Sequence, residues 1–347
     1  MSKNKTILSI IMAVLVLLSL SMLIYTRLNS DVKPTEVTTF AMGSYISQTV
    51  YGEDGETAAK NGAVAVNRLE ELISWKIADS DVYNINLNAG KDWVQVSPAT
   101  ENILNQALSV CKASKGAFDI TVLPLSRLWD FDNSPTAPPS EADIDRCSEF
   151  VDYTALRYDA NTSSYSFKSS AYAVDLGSVG KGAACDAIIA EYKALNVDAA
   201  IVAVGGSVGT LGTKKSGKWN IAVRDPDGGD AIGVIQMGEG YCSTSGSYEK
   251  NFEYEGKLYH HILDPKTGYP KQTDVVSVTI VCDTGAVSDA LSTACFNLGW
   301  EESQAVLEQF GAEAIFIYDD GTIKLTEGIR NDFRLTESGK LKCRIEE

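Results

Sequence analysis

Histidine is nearly missing from this 347-residue chain: there are two, His260 and His261, side by side. Neighbouring side chains in a strand point to opposite faces, so at most one of these imidazoles can enter a given site. Positive charge is also short, with 30 Lys and Arg against 46 Asp and Glu, a net charge of −16. A protein that reads nucleic-acid phosphates needs a basic face, so nucleic acid is excluded as a partner. The seven cysteines (Cys111, Cys147, Cys185, Cys242, Cys282, Cys295, Cys343) are odd in number and never spaced as C-x-x-C. That argues against a zinc site and a dense disulfide framework, and most of them read as small buried hydrophobes. There is no repeat and no internal linker. Apolar residues at 44% and charged residues at 22% exclude wholesale disorder.

Only one long apolar run is present, Ile7 to Tyr25, interrupted by Ser9, Ser19 and Ser21. At the helical rise it spans roughly 28 Å, close to a hydrocarbon core. Lys3 and Lys5 precede it, so the positive-inside rule keeps the N-terminus cytoplasmic and exports the rest. A cleaved signal peptide is the rival reading, but Tyr25-Thr26-Arg27 is a poor small-x-small site, and no cysteine offers a lipid attachment point. We read residues 1–30 as an uncleaved signal-anchor, 31–37 as a linker and 38–347 as one domain at the cell membrane, on its extracytoplasmic side. Beyond residue 30 the chain carries 27 basic and 46 acidic groups, or −19. Such a body needs a metal or local donors to hold a phosphate.

Within the body, Thr38 to Tyr51 alternates like a strand, and Thr57 to Ser74 and Glu101 to Lys115 carry helical apolar faces. Tyr172 to Leu176 reads as a strand, Gly182 to Leu195 as a helix and Ala199 to Val204 as a buried strand. Trp219 to Arg224, Gly233 to Met237, Leu258 to Leu263 and Val275 to Cys282 are further strands. A helix from about Val287 ends at Gly299, and Asp320-Gly321 turns a late hairpin. Helices and strands interleave without a βαβ rhythm, so the fold class is α+β.

Three segments carry candidate chemistry. Asp175-Leu176-Gly177-Ser178-Val179-Gly180-Lys181-Gly182 runs from a strand into a helix, where backbone amides and the helix dipole suit a phosphate. It is neither a Walker A loop nor a dinucleotide fingerprint, and glycine turns of this kind also serve purely structural ends. His260-His261 precede a tight Asp264-Pro265-Lys266-Thr267-Gly268 turn that would fix a loop beside them. Asp289 and Thr293 are four apart on a helix, hence stacked on one face, and offer hard oxygen ligands to Mg²⁺. Helix capping by Ser288 or Asp289 explains the same spacing. Ser178-x-x-Lys181, Ser288-Asp289 and Lys266-Thr267-Gly268 imitate the motifs of penicillin-recognising enzymes, but in the wrong order and without the Asn.

Taken together these segments resemble the ApbE family of FAD:protein FMN transferases. The likeness runs from about Thr38 to Leu325 through motifs in family order. It begins with Ala41-Met42-Gly43-Ser44, Ser74-Trp75 with Asp79-Ser80, Asn86-Asn88-Ala89-Gly90 and Gly116-Ala117-Phe118-Asp119. It continues through Asp175-Leu176-Gly177 with Gly180-Lys181-Gly182 and Asp186, Gly205-Gly206 and Thr244-Ser245-Gly246. His261-Ile262-Leu263-Asp264-Pro265 and Asp289-Ala290-Leu291 with Thr293 close it. Ser44 stands where Thr is usual, Ala183 where an aromatic is common, and the lipoprotein cysteine is absent.

The resemblance implies a mixed, largely antiparallel sheet flanked by helices. It implies FAD as substrate, Mg²⁺ as cofactor, and a Thr or Ser hydroxyl of an exported flavoprotein as FMN acceptor, with AMP released. The implied metal positions are Asp289, Thr293 and the carbonyl of Ala183. The implied FAD contacts are Met42, Trp75, Ala117, Phe118, Asp119, Gly180, Asp186 and Leu263, and His261 would activate the acceptor hydroxyl. An exported FAD-binding redox carrier and a Mg²⁺-dependent FAD pyrophosphatase stay open as alternatives.

Overall fold

A computed structural model describes residues 33–346. The candidate anchor, residues 1–30, lies outside the described residues, as do residues 31 and 32 of the candidate linker. Among the described residues no helix is long and apolar enough to cross a membrane.

Nine strands build the main sheet: β1 (Thr35–Ala41), β2 (Ser44–Tyr51), β3 (Ala199–Val204), β4 (Ser207–Leu211), β5 (Gly240–Gly246), β6 (Val275–Cys282), β7 (Glu313–Tyr318), β8 (Thr322–Leu325) and β9 (Arg344–Ile345). They lie side by side in chain order. Every neighbouring pair is antiparallel except β8–β9, which is parallel. Alternation along the strands feeds two cores. Val202 and Val204 of β3 and Ala314 and Phe316 of β7 face the helical layer. Ala199, Ile315 and Ile317 point the other way, onto a small sheet of Trp219–Val223, Gly233–Met237 and Phe333–Leu335.

The helical layer holds α1 (Gly55–Ile73), α2 (Asp81–Leu87), α3 (Pro98–Ala113), α4 (Leu123–Trp129), α5 (Glu141–Ser148), α6 (Gly177–Ala194), α7 (Gly285–Leu298) and α8 (Trp300–Phe310). The closest approach in it is between α6 and the start of α7, where two glycines meet. A Cβ on Gly182 would lie 2.5 Å from the carbonyl carbon of Gly285 and 2.8 Å from Asp289 Cβ.

The α+β class and the mixed, largely antiparallel sheet match the expectation from the sequence. Three local readings need correction. Thr38–Tyr51 is a hairpin, because Met42 and Gly43 both have positive φ (53° and 67°) and set Ala41 opposite Ser44. That two-residue loop has the backbone of a type I′ turn, and a Met in its first place hides the signal. Thr35–Val37, read as the end of the linker, already pairs in β1. Tyr172–Leu176 is not a strand. The Asn86 side chain takes the Val174 N–H at 2.7 Å and donates to its carbonyl at 2.9 Å, while Asp175 N–H bonds Ile120 O. With those groups satisfied by a side chain and a loop, that stretch needs no strand partner. All seven cysteines are free, and five are buried, as their scattered spacing suggested.

Candidate active site

The glycine-rich segment is not a loop ahead of a helix; α6 begins at Gly177 and carries Gly180, Lys181 and Gly182 in its first turns. Asp175 caps this start, its Oδ1 accepting the Gly177 N–H at 2.8 Å. The missing Cβ at Gly182 lets α7 settle against α6, and the Gly182 N–H then donates to Asp289 Oδ2 at 3.0 Å. Asp289 is 3% exposed, and burial raises its carboxyl above the ordinary carboxylate range, with Lys181 and the Gly182 amide acting against the shift. Lys181 Nζ stands 3.8 Å from Asp289 Oδ1.

Thr293, one turn on, has its hydroxyl 3.2 Å from Ser245 Oγ of β5. Ser245 also meets Ser292, and Ser243 meets Ser288, both at 2.7 Å. Ser243 and Ser245 thus zip strand β5 to α7. Short side chains let the helix lie low on the sheet and hold its register.

These positions fit a hard cation. The Lys181 ammonium is already a cation at the Asp289 carboxylate, and the Ser207 hydroxyl and the Lys181 amide join the Gly182 amide in favouring its charged form. Thr293 Oγ1 adds a neutral oxygen one turn away, and Ala183 follows in α6 the Gly182 whose amide grips Asp289. Among the described residues there is no group of three or more His, Cys, Asp or Glu able to hold a metal. One carboxylate with neutral oxygens is instead a set suited to Mg²⁺, which leaves its other positions to water and phosphate.

Both histidines prove to be hydrogen-bonded, in different ways. His261 is partly buried; its Nδ1 lies 3.1 Å from the Glu249 carbonyl, so Nδ1 carries the proton and Nε2 is the bare acceptor. Burial lowers its pKa to about 4 from the usual 6.5, and nearby Lys181 and Lys250 push the same way. A neutral imidazole with a free Nε2 is a ready proton acceptor at neutral pH. His260 is core: 4% exposed, Nε2 at 2.9 Å from Lys271 O, its ring edge-on to Phe296. The Asp264 turn is as tight as expected, with its carbonyl accepting from Thr267 and Gly268 and Oδ1 from Lys266. Trp129 Nε1 donates to Gly268 O at 2.8 Å and anchors the turn on α4.

The candidate FAD contacts divide into two kinds. Met42 and Gly180 lie together, since a Cβ on Gly180 would be 3.3 Å from Met42 Cε. Trp75 is partly buried at the end of α1 with the Arg127 guanidinium 4.5 Å above its ring. Beside it, Asp132 binds Lys76 at 2.7 Å and Lys250 at 2.6 Å, which lowers its carboxyl to about 2. Asp119 and Asp186 are instead committed to protein donors. Asp119 accepts from Thr121 N and Oγ1 and from Tyr153 N. Asp186 accepts the Gly285 and Ala286 amides, each at 2.8 Å, and so caps α7 from outside. Burial raises both carboxyls. Phe118 is 2% exposed and belongs to the core.

Ala117 and Leu263 come from distant parts of the chain and are joined by a residue that spacing did not reveal. Asn297 Nδ2 donates to Ala117 O at 2.9 Å and to Leu263 O at 3.0 Å. Ala117 and Asn297, with Leu298, Asp264, Lys266, Lys271 and Glu302, line a cleft of about 140 Å³. Asn297 carried no sequence signal, whereas Lys181 was visible between two glycines but had been given no role.

Residues 42–316 match the model of the ApbE family. The FAD:protein FMN transferase of Treponema pallidum is 32% identical over 78% of this chain and 79% of its own. That of Klebsiella pneumoniae is 31% identical over 89% of this chain and 97% of its own. The crystal structure of the ApbE protein of Thermotoga maritima superposes with a TM-score of 0.75 at 31% identity, covering 90% of this chain and 99% of that one. With its family motifs set on α6, α7 and the Asp264 turn around one site, the chain belongs to the ApbE family.

Proposed function

We propose that this protein is an FAD:protein FMN transferase, moving FMN from FAD to a Thr or Ser hydroxyl of an acceptor flavoprotein. The observation that carries the reading is Lys181, which faces Asp289 beside the α6–α7 contact and acts electrostatically on a neutral His261, in a chain related to enzymes of that name. His261 Nε2 takes the proton of the acceptor hydroxyl. The hydroxyl oxygen forms a bond to the FMN phosphorus, and the bond from that phosphorus to the bridging oxygen breaks, releasing AMP. Lys181 offsets charge on the phosphates, and the Trp75–Arg127 pair offers a flat platform for a ring. Asp289, Thr293 and the Ala183 carbonyl would hold Mg²⁺, which supplies Lewis-acid stabilisation of phosphate charge worth several kcal/mol.

Weighing the acceptor by mass spectrometry after incubation with FAD and Mg²⁺ tests the reading. A gain of one FMN, with AMP released in equal amount, is expected. FMN and AMP free in solution with the acceptor unchanged would identify a pyrophosphatase, and intact FAD a carrier. Activity that persists through chelation and Asp289→Asn would refute the metal assignment.

Export and anchoring belong to the same proposal, supported by the apolar run Ile7–Tyr25 behind Lys3 and Lys5. Full-length protein is expected in the membrane fraction with Met1 to Tyr25 retained. A mature N-terminus beyond Tyr25 in soluble material would mark the run as a cleaved signal.

A further inference from the structure

Asp289, Thr293 and Asn297 follow one another at four-residue steps along α7, a stripe about 12 Å long. The first two are the candidate metal positions, so Asn297 sits where the substrate continues beyond its pyrophosphate. Its two amide hydrogens are both used, on Ala117 O and Leu263 O. Turning the amide over would press Oδ1 against two carbonyl oxygens, so the orientation is fixed by the contacts themselves. That leaves Oδ1 buried with no partner, in a residue 4% exposed that lines the 140 Å³ cleft. The cleft has about ten times the room a single water needs. An unpaired buried acceptor at such a place calls for a donor.

We infer that Asn297 is a specificity-determining residue of the nucleotide pocket, its Oδ1 accepting an N–H from the exocyclic amino group of the adenine of the substrate. The inference rests on FAD being the substrate. A carbonyl in place of that amino group meets Oδ1 acceptor to acceptor, so the pocket rejects 6-keto purines. The enclosed end suits adenine rather than flavin because AMP leaves as a small molecule. The flavin must stay open to a protein acceptor, on the side of Trp75 and His261.

The test is the binding of ADP and of IDP, whose bases differ at position 6 and in the proton that the 6-keto base carries on N1, to the full-length protein at fixed Mg²⁺. Wild type is expected to bind ADP about ten- to a hundred-fold more tightly, the range for one buried hydrogen bond. In Asn297→Leu the ratio should fall to about one; a merely structural role would lower both affinities and leave the ratio unchanged. Equal affinities in wild type, or an unchanged ratio in the variant, overturn the assignment. The wild-type comparison decides alone if the variant does not fold. FAD turnover by wild type, measured alongside, separates the two readings. Turnover with equal ADP and IDP affinities overturns the Asn297 assignment only, and absence of turnover overturns the transferase reading with it.

Discussion

Replacing Gly182 by Ala should disable the site from its framework, without altering any group that does chemistry. Ordinarily Ala in place of helical Gly stabilises by up to about 1 kcal/mol. Here the added Cβ would stand 2.5 Å from the Gly285 carbonyl carbon and 2.8 Å from Asp289 Cβ. Carbon pairs prefer about 3.5 Å or more, so α6 and α7 must part by about 1 Å. Gly285 cannot yield, because its own N–H is held by Asp186 at 2.8 Å. The Gly182 amide then loses Asp289, and overpacking of this kind costs about 1–3 kcal/mol. At about 2–4 °C per kcal/mol for a domain of this size, the midpoint should fall by roughly 3–10 °C. A misplacement of about 1 Å can cost on the order of 100-fold in rate. Thermal melts read by circular dichroism and FMN transfer under saturating FAD are the assays. Gly180→Ala is the stability control, since its Cβ meets only the movable Met42 Cε and Ile73 Cδ1; its midpoint should hold or rise. A Gly182→Ala protein with wild-type midpoint and turnover would refute the close-packing argument.

His261→Ala should lower single-turnover transfer by about 10²–10⁴-fold while changing FAD affinity far less, and a large loss of affinity instead would make it a binding residue. Because burial sets its pKa at about 4, the wild-type rate should stay level from neutral pH down and fall only as pH passes through about 4; a fall centred near 6.5 would contradict that environment. His260→Ala should cost about 2–4 kcal/mol of stability by removing a buried ring bonded to Lys271 O, checked by urea unfolding. The depressed pKa of His260, also about 4 against 6.5, makes the unfolded chain bind the proton first. Its stabilising effect is therefore complete above about 6.5 and lost as pH drops towards 4, which unfolding midpoints across that window will show. Asp186→Asn replaces one of two acceptors for the α7 amides with a donor, so it should lower the melting midpoint even without FAD; an effect seen only with FAD present would restore Asp186 as a ligand contact.

The outline of the fold was legible because its apolar patterning is strong. A continuous apolar run marked β3, Asp320-Gly321 marked the β7–β8 hairpin, and the 3.6-residue pattern marked α1 and α3. What stayed hidden was hidden for local reasons. Met42 occupies a positive-φ position that ordinarily announces itself with Gly or Asn. Ser243 and Ser245 read as loop residues, yet they face the hydroxyls of Ser288 and Ser292, so β5 lacks the apolar alternation of a buried strand. In the site, Asp289 and Thr293 were visible as an i, i+4 pair, but whether they cap or coordinate could not be told from spacing. The structure shows the capping of α7 to be done by Asp186, from another helix. Asp119 and Asp186 stand at motif positions, and their carboxylates also hold backbone amides, a structural task that the motifs alone do not reveal.

The electrostatics of the site follow from placing few cations in a very acidic chain. With a net charge of −16 the protein repels a dinucleotide pyrophosphate at long range, so attraction must be local. Lys181 supplies it from the first turns of α6, where it faces Asp289 at 3.8 Å and adds to the positive surroundings of His261. The same ammonium thus balances a buried carboxylate and keeps an imidazole neutral. Lys250 and Lys76, tied together by Asp132, extend the positive ground along the side of Trp75. A cation held by Asp289 would supply further charge compensation at that carboxylate, and burial keeps the His261 imidazole uncharged at neutral pH. Removing Lys181 would therefore raise the Asp289 carboxyl and the His261 imidazole together, favouring the protonated form of both. Gly182 and Gly285 bring the helices together, and Lys181 beside them contributes to the charge of what they enclose.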